Sequence, residues 1–464
     1  MSDNARTAAV VLAAGKGTRF RSDLAKVLHR AAGRTLVGHV LEALRPLGLG
    51  QVVVVVGHQA EDVTASVQAS DLPGLTTVVQ EEQHGTGHAV QVAMPALADD
   101  VDRVLVLPGD TPLLTAPTLE RLLAAAQGST AAMLTARLED PTGYGRVLRD
   151  ADGNVTGIVE QRDATDAQRA IDEINAGMYV VARDHLVAAL GQLDTDNDQG
   201  ELYLTDVVGI LAGKGEPVAA FVTSEDEVAG VNDRRQLADA AAVLRRRHLD
   251  HLMTEVGVSV ADPATTHLDV DVEVGRDAVL LPGTILESGT RIGERAVVGP
   301  NSHLTACQVG NDATVHSTRA TEAVIGEHAS VGPFTHLRPG TRLGVKSKAG
   351  AFVETKNAQI GDGSKVPHLA YLGDATVGEQ VNIACGVITV NYDGFTKSHT
   401  TIEDGAFVGC DTMLVAPVTV GSGAFVAAGS TLTDDVPADA LAIARARQVN
   451  KEGWAAERRR QHGR

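Results

Sequence analysis

The strongest constraint on the fold of this chain is a recurrence of aliphatic residues every six positions in its last third. An early run begins at Val274, and the most regular run consists of Ile402, Val408, Leu414, Val420, Val426 and Leu432. A period of six matches neither the 3.6-residue period of an α-helix nor the two-residue period of a strand. It is typical of hexapeptide repeats, in which each unit is a short strand and a tight turn. An ordinary β-sandwich would show polar and apolar alternation with irregular turns, so we predict a C-terminal parallel β-helix.

The six-residue period is interrupted at 304–309, 343–360 and 383–402. A solenoid accepts insertions at its turns, and such insertions commonly form binding sites. Segment 391–397 carries no repeat signal, and we expect it to loop out of the β-helix. Most of the candidate chemistry in this half of the chain falls at the last two interruptions.

Composition limits where the protein works and what it binds. The chain has 464 residues, enough for two or more domains, and its net charge of −19 argues against nucleic acid as the main partner. The three cysteines, Cys307, Cys385 and Cys410, lack CxxC spacing, and their odd number argues against a disulfide framework. No apolar run approaches a membrane span, and stretch 7–15 fits a buried first strand better than a signal peptide. We therefore expect a cytoplasmic protein without an integral membrane segment.

The first half of the chain alternates between predicted strands and predicted helices. Stretches 8–12, 52–56 and 104–107 are near-continuous apolar runs, which suit parallel strands buried on both faces. Stretches 39–44 and 118–126 have helical spacing. The pattern predicts an α/β, Rossmann-like domain with a mostly parallel sheet, whose ligands would bind beyond the carboxyl ends of the strands.

The first glycine cluster, 12–19, follows the first predicted strand. Gly15 and Gly17 allow a diphosphate to approach backbone N–H groups, and the adjacent basic residues add charge. The cluster is not a Walker A loop, because glycine follows Lys16, and Phe20 replaces the third glycine of a dinucleotide fingerprint. With Lys26 nearby, the pattern favours phosphate binding over a plain strand-to-helix turn.

Two further clusters follow later strands. In segment 80–88 the amides of Gln80 and Gln83 could read a base edge, while His84 and His88 lack a clear third ligand for a metal. In the third cluster Asp110 follows a glycine at the end of a predicted strand. A carboxylate at this position could coordinate a Mg²⁺ ion that is bound to a phosphate. An Asx-turn is the alternative interpretation of Asp110.

Residues 235–255 are predicted to form one long helix that separates domain 1–234 from domain 256–464. The segment is rich in alanine and has leucines near helical spacing. Its arginines are interleaved with Asp239 and Asp250 in an acidic protein. A solvated helix face is therefore a better interpretation of them than nucleic-acid binding.

The motifs of the first half occur in the order found in sugar-1-phosphate nucleotidylyltransferases. They are LAAGKGTR at 12–19, Lys26, QEEQHGTGHA at 80–89, GDTPL at 109–113, Tyr144-Gly145-Arg146, Ile158-Val159-Glu160, Asn175-Ala176-Gly177 and Gly230-Val231-Asn232. Joined to hexapeptide repeats, they resemble the family of bifunctional N-acetylglucosamine-1-phosphate uridylyltransferases/glucosamine-1-phosphate N-acetyltransferases over essentially the whole chain. The resemblance implies a left-handed β-helix and a role in UDP-N-acetylglucosamine biosynthesis, which supplies peptidoglycan and lipopolysaccharide-type precursors.

The resemblance implies a uridylyltransferase site in the first domain. The residues implied to bind the nucleotide are Leu12, Ala13, Ala14, Gly15, Lys26, Gln80, Gly85, Thr86 and Gly109, and those implied to hold the sugar are Gly145, Glu160 and Asn175. Asp110 and Asn232 would ligate Mg²⁺. Arg19 and Lys26 would neutralise phosphate charge while N-acetylglucosamine 1-phosphate attacks the α-phosphorus of UTP. Positioning and charge neutralisation suffice for this reaction, so no covalent nucleophile is expected.

The β-helix carries residue types that suit an earlier step, acetylation of glucosamine 1-phosphate by acetyl-CoA. Arg338 and Lys356 can bind phosphate, and Tyr371 and Asn382 can hydrogen-bond the sugar. His368 can accept the amine proton as the amine attacks the thioester, although a structural turn residue is the alternative. The resemblance adds Lys397 at the phosphate and places at acetyl-CoA the residues Cys385, Asn391, Tyr392, Cys410, Ala428 and Arg445.

Three positions depart from the pattern of that family. Pro108 stands where a bulkier aromatic residue is frequent, and Cys385 and Cys410 stand where alanine and serine are common. Backbone contacts would survive these changes, whereas a side-chain hydroxyl contact at position 410 would be weakened. We expect neither cysteine to act as a nucleophile, because direct acetyl transfer needs none.

The resemblance also implies a homotrimer with sites at subunit interfaces. The basic C-terminal tail, 458–464, is predicted to be mobile. Alternatively, Arg445 and Lys451 would reach the coenzyme phosphates from a neighbouring chain. Two alternatives stay open: a nucleotidylyltransferase with one activity and a trimerising or sensing β-helix, and a non-catalytic sugar-nucleotide-binding or scaffold protein. The set of His368, Asn391 and Lys397 argues against the first alternative. Asp110 and Asn232 argue weakly against the second.

Overall fold

A computed structural model describes residues 4–464, which divide into two compact units between Leu244 and Arg245. The strands of the first unit are Thr7–Ala13 (β1), Arg30–Ala31 (β2), Arg34–Thr35 (β3), Gln51–Val56 (β4), Leu75–Val79 (β5), Arg103–Pro108 (β6), Ala131–Arg137 (β7), Arg146–Arg149 (β8), Val155–Val159 (β9), Glu173–Ala182 (β10) and Val218–Thr223 (β11). Its helices are Leu36–Leu44 (α1), Ala60–Gln68 (α2), Thr86–Ala93 (α3), Ala116–Ala125 (α4), Asp166–Arg169 (α5), Arg183–Leu190 (α6), Asp206–Gly213 (α7) and Glu225–Val228 (α8).

A nine-stranded, mostly parallel sheet organises the first unit. Seven strands follow the order β11-β7-β10-β6-β1-β4-β5, and β8 and β9 pair beside β10. Strand β1 is parallel to β4 and β6, whereas β10 is antiparallel to β6 and β7. Alternate residues of β1 enter two different cores, Ala9 and Val11 on one face and Ala8 and Val10 on the other. Burial on both faces explains the near-continuous apolar run, and the predicted α/β domain is confirmed.

A helix from Arg234 to His251 (α9) crosses the division between the units. Its first half contributes Leu237 and Ala240 to an apolar cluster of the first unit. Leu249 in its second half belongs to the core of the second unit. A π-helical turn, Leu252–Val256, follows, and Gly257 closes it with φ of 85°. The expected long helix is present, but it ends at His251. Both its halves are packed, because Leu237 is partly buried and Leu249 is buried.

The second unit contains many short strands and a C-terminal helix, Trp454–Gln461 (α10). The strands are Ser259–Val260, His267–Leu268, Glu273–Val274, Val279–Leu280, Ile285–Glu287, Arg291–Ile292, Val297–Val298, His303–Thr305, Gln308–Val309, Thr314–Val315, Thr318–Thr321, Val324–Ile325, Ser330–Val331, Thr335–Leu337, Arg342–Leu343, Lys348–Ala351, Glu354–Ile360, Lys365–His368, Tyr371–Val377, Asn382–Ile383, Ile388–Val390, Thr400–Ile402, Phe407–Val408, Met413–Val415, Val418–Val420, Phe425–Val426, Thr431–Leu432 and Leu441–Ala442.

These strands stack in parallel, coil upon coil. Ile402 pairs with Val420 and Leu414 pairs with Leu432, so residues three hexapeptides apart lie in register. Their side chains form one continuous core along the unit. The predicted parallel β-helix of hexapeptide repeats is confirmed.

The interruptions of the repeat have different structures. Ala349 pairs with Val331 on the preceding coil and with Val366 on the following coil. The second step is one residue shorter than the first, so interruption 343–360 is a shortened coil and not a loop. Ile383 pairs directly with Val408, which leaves the extra residues of the last interruption outside the stacked coil. Segment 391–397 projects there, as predicted.

No helix within residues 4–464 is long and apolar enough to cross a lipid bilayer.

Candidate functional sites

A cavity of about 330 Å³ opens at the carboxyl ends of β1 and β6 in the first unit. Strand β1 lies between β4 and β6, so the order of the sheet reverses at this point. Open α/β sheets bind ligands at such switch points. The residues that line the cavity are Leu12, Ala13, Ala14, Gly15, Lys26, Val27, Gln80, Gln83, Gly85, Thr86, Ala89, Pro108, Asp110 and Glu201.

Hydrogen bonds hold the loop after β1 against two neighbouring segments. The Gly109 N–H donates to the Leu12 carbonyl over 2.9 Å, so Gly109 supports the cavity wall. The Gln83 amide donates to the Ala14 carbonyl over 2.7 Å. Gly17 has φ of 59°, and a Cβ at this position would lie 2.5 Å from the Cβ of Lys26. Glycine is therefore required there for the approach of Lys26, a role that the predicted residue set did not include.

The opposite wall is formed by the segment after β5. Gln80 is only 4% exposed, and its amide donates to the Gly85 carbonyl over 3.2 Å. Gly85 has φ of 103° and packs so closely on Leu202 that a Cβ would lie 2.6 Å from the Leu202 carbonyl oxygen. Backbone hydrogen bonds between 84–87 and 202 bring Glu201 to the cavity. Sequence analysis missed Glu201, because irregular segments that pair over a long distance leave no periodic signal.

Lys26, Asp110 and Asn232 form a polar cluster at the edge of this cavity. The Lys26 ammonium contacts the Asp110 carboxylate and donates a 2.7 Å hydrogen bond to the Asn232 amide oxygen. A hydrogen bond from the Val231 N–H to the Asp110 carbonyl, 2.9 Å long, fixes the two segments together. Two oxygen ligands thus already converge on one cation, an arrangement that fits a hard divalent metal. Arg19, by contrast, is exposed in the turn Thr18–Phe20, outside the cavity lining.

The three predicted sugar-binding residues lie together, beyond the lining of the cavity itself. The Asn175 N–H donates to the Gly145 carbonyl over 2.9 Å. A Cβ on Gly145 would lie 3.4 Å from a carboxylate oxygen of Glu160, so the carboxylate occupies the space next to this glycine. The Asn175 amide oxygen accepts a 2.9 Å hydrogen bond from the Tyr179 hydroxyl. Burial raises the pKa of Glu160, and a hydrogen bond from Thr205 only partly opposes the rise.

In the second unit, the coil register aligns His368, Cys385, Cys410 and Ala428 in one column on the β-helix. Each residue follows a buried core residue by two positions, at the same corner of four successive coils. His368 and Cys410 are exposed and Cys385 is partly exposed. The register pairs that establish the column are Lys365 with Asn382, Ile383 with Val408, and Val408 with Val426. Sequence spacing alone hides the column, because segment 391–397 separates the two cysteines along the chain.

A cationic cluster lies on a neighbouring sheet of the β-helix. Contact between Lys356 and Lys397, through a hydrogen bond and charge repulsion, lowers the pKa of Lys356. Burial raises the pKa of the nearby Asp374 carboxyl. Hydrogen bonds from Asn357 (2.8 Å) and Asn391 (2.5 Å), together with the charges of Lys356 and Lys397, outweigh this effect, so the net shift is downward. Asp374 was not among the predicted site residues. It could have been found from the coil register, which places it beside Asn357 and Asn391 on the adjacent coils.

The remaining predicted residues of this half are divided between the cluster and the column. Arg338 donates a 2.9 Å hydrogen bond to Glu354, which is in register with Tyr371 on the next coil. Asn382 lies in another sheet, in register with Lys365. Tyr392 forms a bridge with Lys397 at the base of the projecting loop. Arg445 is exposed and lies beside the end of the column, since a Cβ on Gly429 would lie 3.8 Å from its Cδ.

Comparison with known proteins supports two enzymatic modules. Residues 9–208 match the model of the MobA-like NTP transferase domain, and residues 399–434 match the bacterial transferase hexapeptide model of six repeats. A relative from Streptomyces avermitilis named "Bifunctional protein GlmU" is 53% identical, covering 97% of this chain and 94% of its own length. A relative of that name from Corynebacterium efficiens is 50% identical, and the match covers 99% of this chain and 95% of the relative. A third relative of that name, from Exiguobacterium, is 51% identical, and the match covers 96% of this chain and 98% of the relative.

Identity at this level over nearly the full length establishes the family, and the nucleotidyltransferase family implies a divalent-metal requirement. Both modules and the order of their motifs are present in one chain. The chain belongs to the GlmU family of bifunctional N-acetylglucosamine-1-phosphate uridylyltransferases and glucosamine-1-phosphate N-acetyltransferases.

Proposed function

We propose that the two activities belong to two separate sets of residues, the cavity of the first unit and the column with its cationic cluster in the second. Glucosamine 1-phosphate is acetylated at the second set, and the product is uridylylated at the first. The observation that carries this assignment is the pair of ammonium groups on Lys356 and Lys397. Two cations in contact repel each other, so a phosphate placed between them is favoured.

In the cavity, the backbone of loop 12–15 and the amides of Gln80 and Gln83 bind and orient the uridine nucleotide. Asp110 and Asn232 would hold Mg²⁺, which when bound neutralises phosphate charge and orients the phosphates. Lys26, held at the edge of the cavity by contacts with these two residues, supplies a positive charge to the phosphate. Glu160 and Asn175 accept and donate hydrogen bonds at the sugar, and Arg19 reaches the cavity only if its turn moves.

In the β-helix, Lys356, Lys397 and Arg338 bind the phosphate of glucosamine 1-phosphate. Tyr371, Asn391 and Asn382 hydrogen-bond the sugar or the coenzyme. His368 accepts the proton of the amine as the nitrogen attacks the thioester carbon, and coenzyme A leaves as the thiol. The exposed position of His368 in the column is accessible to both substrates. Cys385, Cys410 and Ala428 present a narrow surface of small side chains for the acetyl-CoA arm.

We further propose a cytoplasmic homotrimer. Arg445 and Lys451 lie in the last coil and the tail that follows it, where every residue from 443 onward is exposed. Contact with a neighbouring copy would bury part of this segment and bring its charges to the coenzyme phosphates. Sedimentation of the purified chain tests the trimer, and a monomer at micromolar concentration would contradict it.

A single assay tests the assignment of both sites. Purified protein receives glucosamine 1-phosphate, acetyl-CoA, UTP and Mg²⁺, while released thiol and pyrophosphate are followed. His368→Ala should abolish thiol release, and N-acetylglucosamine 1-phosphate supplied directly should still yield pyrophosphate. Asp110→Ala should show the reverse. Two independent sites would be contradicted if His368→Ala released no pyrophosphate from supplied N-acetylglucosamine 1-phosphate, or if Asp110→Ala released no thiol, with an unchanged unfolding temperature.

A further inference from the structure

Cys385 and Cys410 are neighbours in space, although the chain between them includes the projecting loop. Ile383 pairs with Val408 in adjacent coils, and the Asp411 N–H donates to the Cys385 carbonyl over 2.8 Å. The two cysteines therefore occupy equivalent positions one coil apart. Adjacent strands lie about 4.7–4.9 Å apart. Disulfides span Cα separations of about 4.4–6.8 Å, so the spacing of adjacent coils lies within the Cα range of a disulfide.

Both thiols are free and accessible to different degrees. Cys410 is exposed and Cys385 is partly exposed, whereas Cys307 is buried in the core of the β-helix. Peroxide therefore has readier access to Cys410 than to Cys385. His368 occupies the equivalent position one coil before Cys385.

We propose that Cys385 and Cys410 form a reversible disulfide under peroxide and that this bond switches off acetyl transfer. The effect on activity rests on the proposed function of the column, whereas formation of the bond does not. The geometry points to Cys410 as the residue oxidised first, to Cys385 as the resolving residue, and to His368 as the proton acceptor.

The chemistry balances with hydrogen peroxide as the oxidant. The Cys410 thiolate attacks one peroxide oxygen, the O–O bond breaks, and a sulfenic acid and hydroxide form. The Cys385 sulfur then attacks the Cys410 sulfur and passes its proton to His368. The S–O bond breaks, the S–S bond forms, and the departing hydroxide becomes water on protonation. Two thiols are oxidised and one peroxide is reduced to two waters.

The bond would act on acetyl transfer through two changes at one column. It removes the free rotation of two small side chains on the surface proposed for acetyl-CoA. It joins the two coils next to His368. Both cysteines belong to the second unit, whereas the residues that line the uridylyl transfer cavity belong to the first. Oxidation should therefore separate the two activities of one chain.

The test uses the full chain, treated with hydrogen peroxide or left reduced. Wild-type protein should lose two of its three titratable thiols after denaturation and yield a peptide cross-linked between Cys385 and Cys410. Dithiothreitol should restore both thiols. Cys307→Ser, the matched control, should still form the cross-link, whereas Cys410→Ser should not. Oxidation that stops at sulfenic acid, or a cross-link that includes Cys307, would overturn the proposal.

Acetyl transfer is measured in the same samples, and each variant is compared with its own reduced form. Wild-type acetyl transfer should fall in proportion to cross-linking and return with dithiothreitol, while uridylyl transfer stays constant. Cys410→Ser should keep its reduced rate after peroxide. A cross-link without any loss of acetyl transfer would overturn the switch. Absence of acetyl transfer from reduced wild-type protein would instead contradict the proposed function, leaving the cross-link result to stand by itself.

Discussion

Lys26 donates a 2.7 Å hydrogen bond to the Asn232 amide oxygen, although 206 positions of sequence separate the two residues. The Asp110 carboxylate contacts the same ammonium, so three segments meet at one charge. The arrangement holds Lys26 beside the cavity before any phosphate arrives. A preorganised cation of this kind stabilises charge that develops in a transition state without first reorganising.

Replacing Lys26 by methionine should reduce the kcat of uridylyl transfer by roughly 10²–10³-fold, the loss seen when one preorganised donor is removed. Methionine keeps most of the side-chain volume, so the unfolding temperature should change little. Pyrophosphate release gives the rate. The control is Lys214→Met, an exposed lysine that does not line the cavity, which should retain the wild-type rate. Equal rates for the two variants would remove Lys26 from the mechanism.

Glu160→Gln should stabilise the protein at neutral pH and impair uridylyl transfer. Burial raises the pKa of Glu160, so the folded state favours the protonated carboxyl and stability declines as pH rises from the unfolded pKa toward the folded pKa. The neutral amide removes this cost, and a gain of about 0.5–2 kcal/mol is typical of such substitutions. Urea unfolding at pH 7 measures the gain.

The gain should vanish below about pH 4, because the wild-type carboxyl is then protonated in both states. Glu173 provides the opposite case, since a hydrogen bond from Arg149 holds its pKa below the usual range despite burial. Glu173→Gln should therefore destabilise the protein at neutral pH. The same sign for both variants would contradict the assigned environments.

His368→Ala should lower the kcat of acetyl transfer by roughly 10²–10⁴-fold, the usual contribution of a general base. Free coenzyme A is measured with a thiol reagent. His328→Ala removes another exposed histidine of the β-helix and should leave the rate unchanged. If His368→Ala raised KM while kcat stayed constant, the histidine would bind substrate and a different base would be needed.

Lys397→Met should raise the KM for glucosamine 1-phosphate roughly tenfold, which corresponds to a lost charged contact of about 1.5 kcal/mol. It should also relieve the repulsion that lowers the pKa of Lys356. In wild-type protein the KM should therefore rise at alkaline pH as Lys356 loses its proton, and this rise should move to higher pH in the variant. Lys348→Met, exposed on another sheet, is the control.

Cys385→Ala should retain acetyl transfer within about tenfold, because direct transfer from the thioester to the amine needs no protein nucleophile. Single-turnover experiments with labelled acetyl-CoA should detect no acetylated enzyme in either protein. Complete loss of acetyl transfer in a folded variant would show that the thiol takes part in the reaction.

The amino-acid sequence by itself determined the elements and their class. Runs such as Val52–Val56 must be buried on both faces, and the six-residue recurrence from Ile402 to Leu432 fits only a coil of short strands. Glycines and charges at strand ends also located the cavity, since parallel strands place their carboxyl ends at one edge. These signals can be read from the sequence because each one lies within a short stretch of the chain or recurs at a regular spacing.

Only the tertiary structure decided which distant residues meet. It brought Glu201 to the cavity, left Arg19 exposed outside the cavity lining, and placed Asp374 beside Lys356. It also distinguished two interruptions of the six-residue period. Interruption 343–360 is a shortened coil, whereas the loop at 391–397 is an insertion. Stacking of coils aligns Cys385 with Cys410 whatever the length of chain between them. Such alignment depends on hydrogen-bond register between coils, and local sequence carries no record of it.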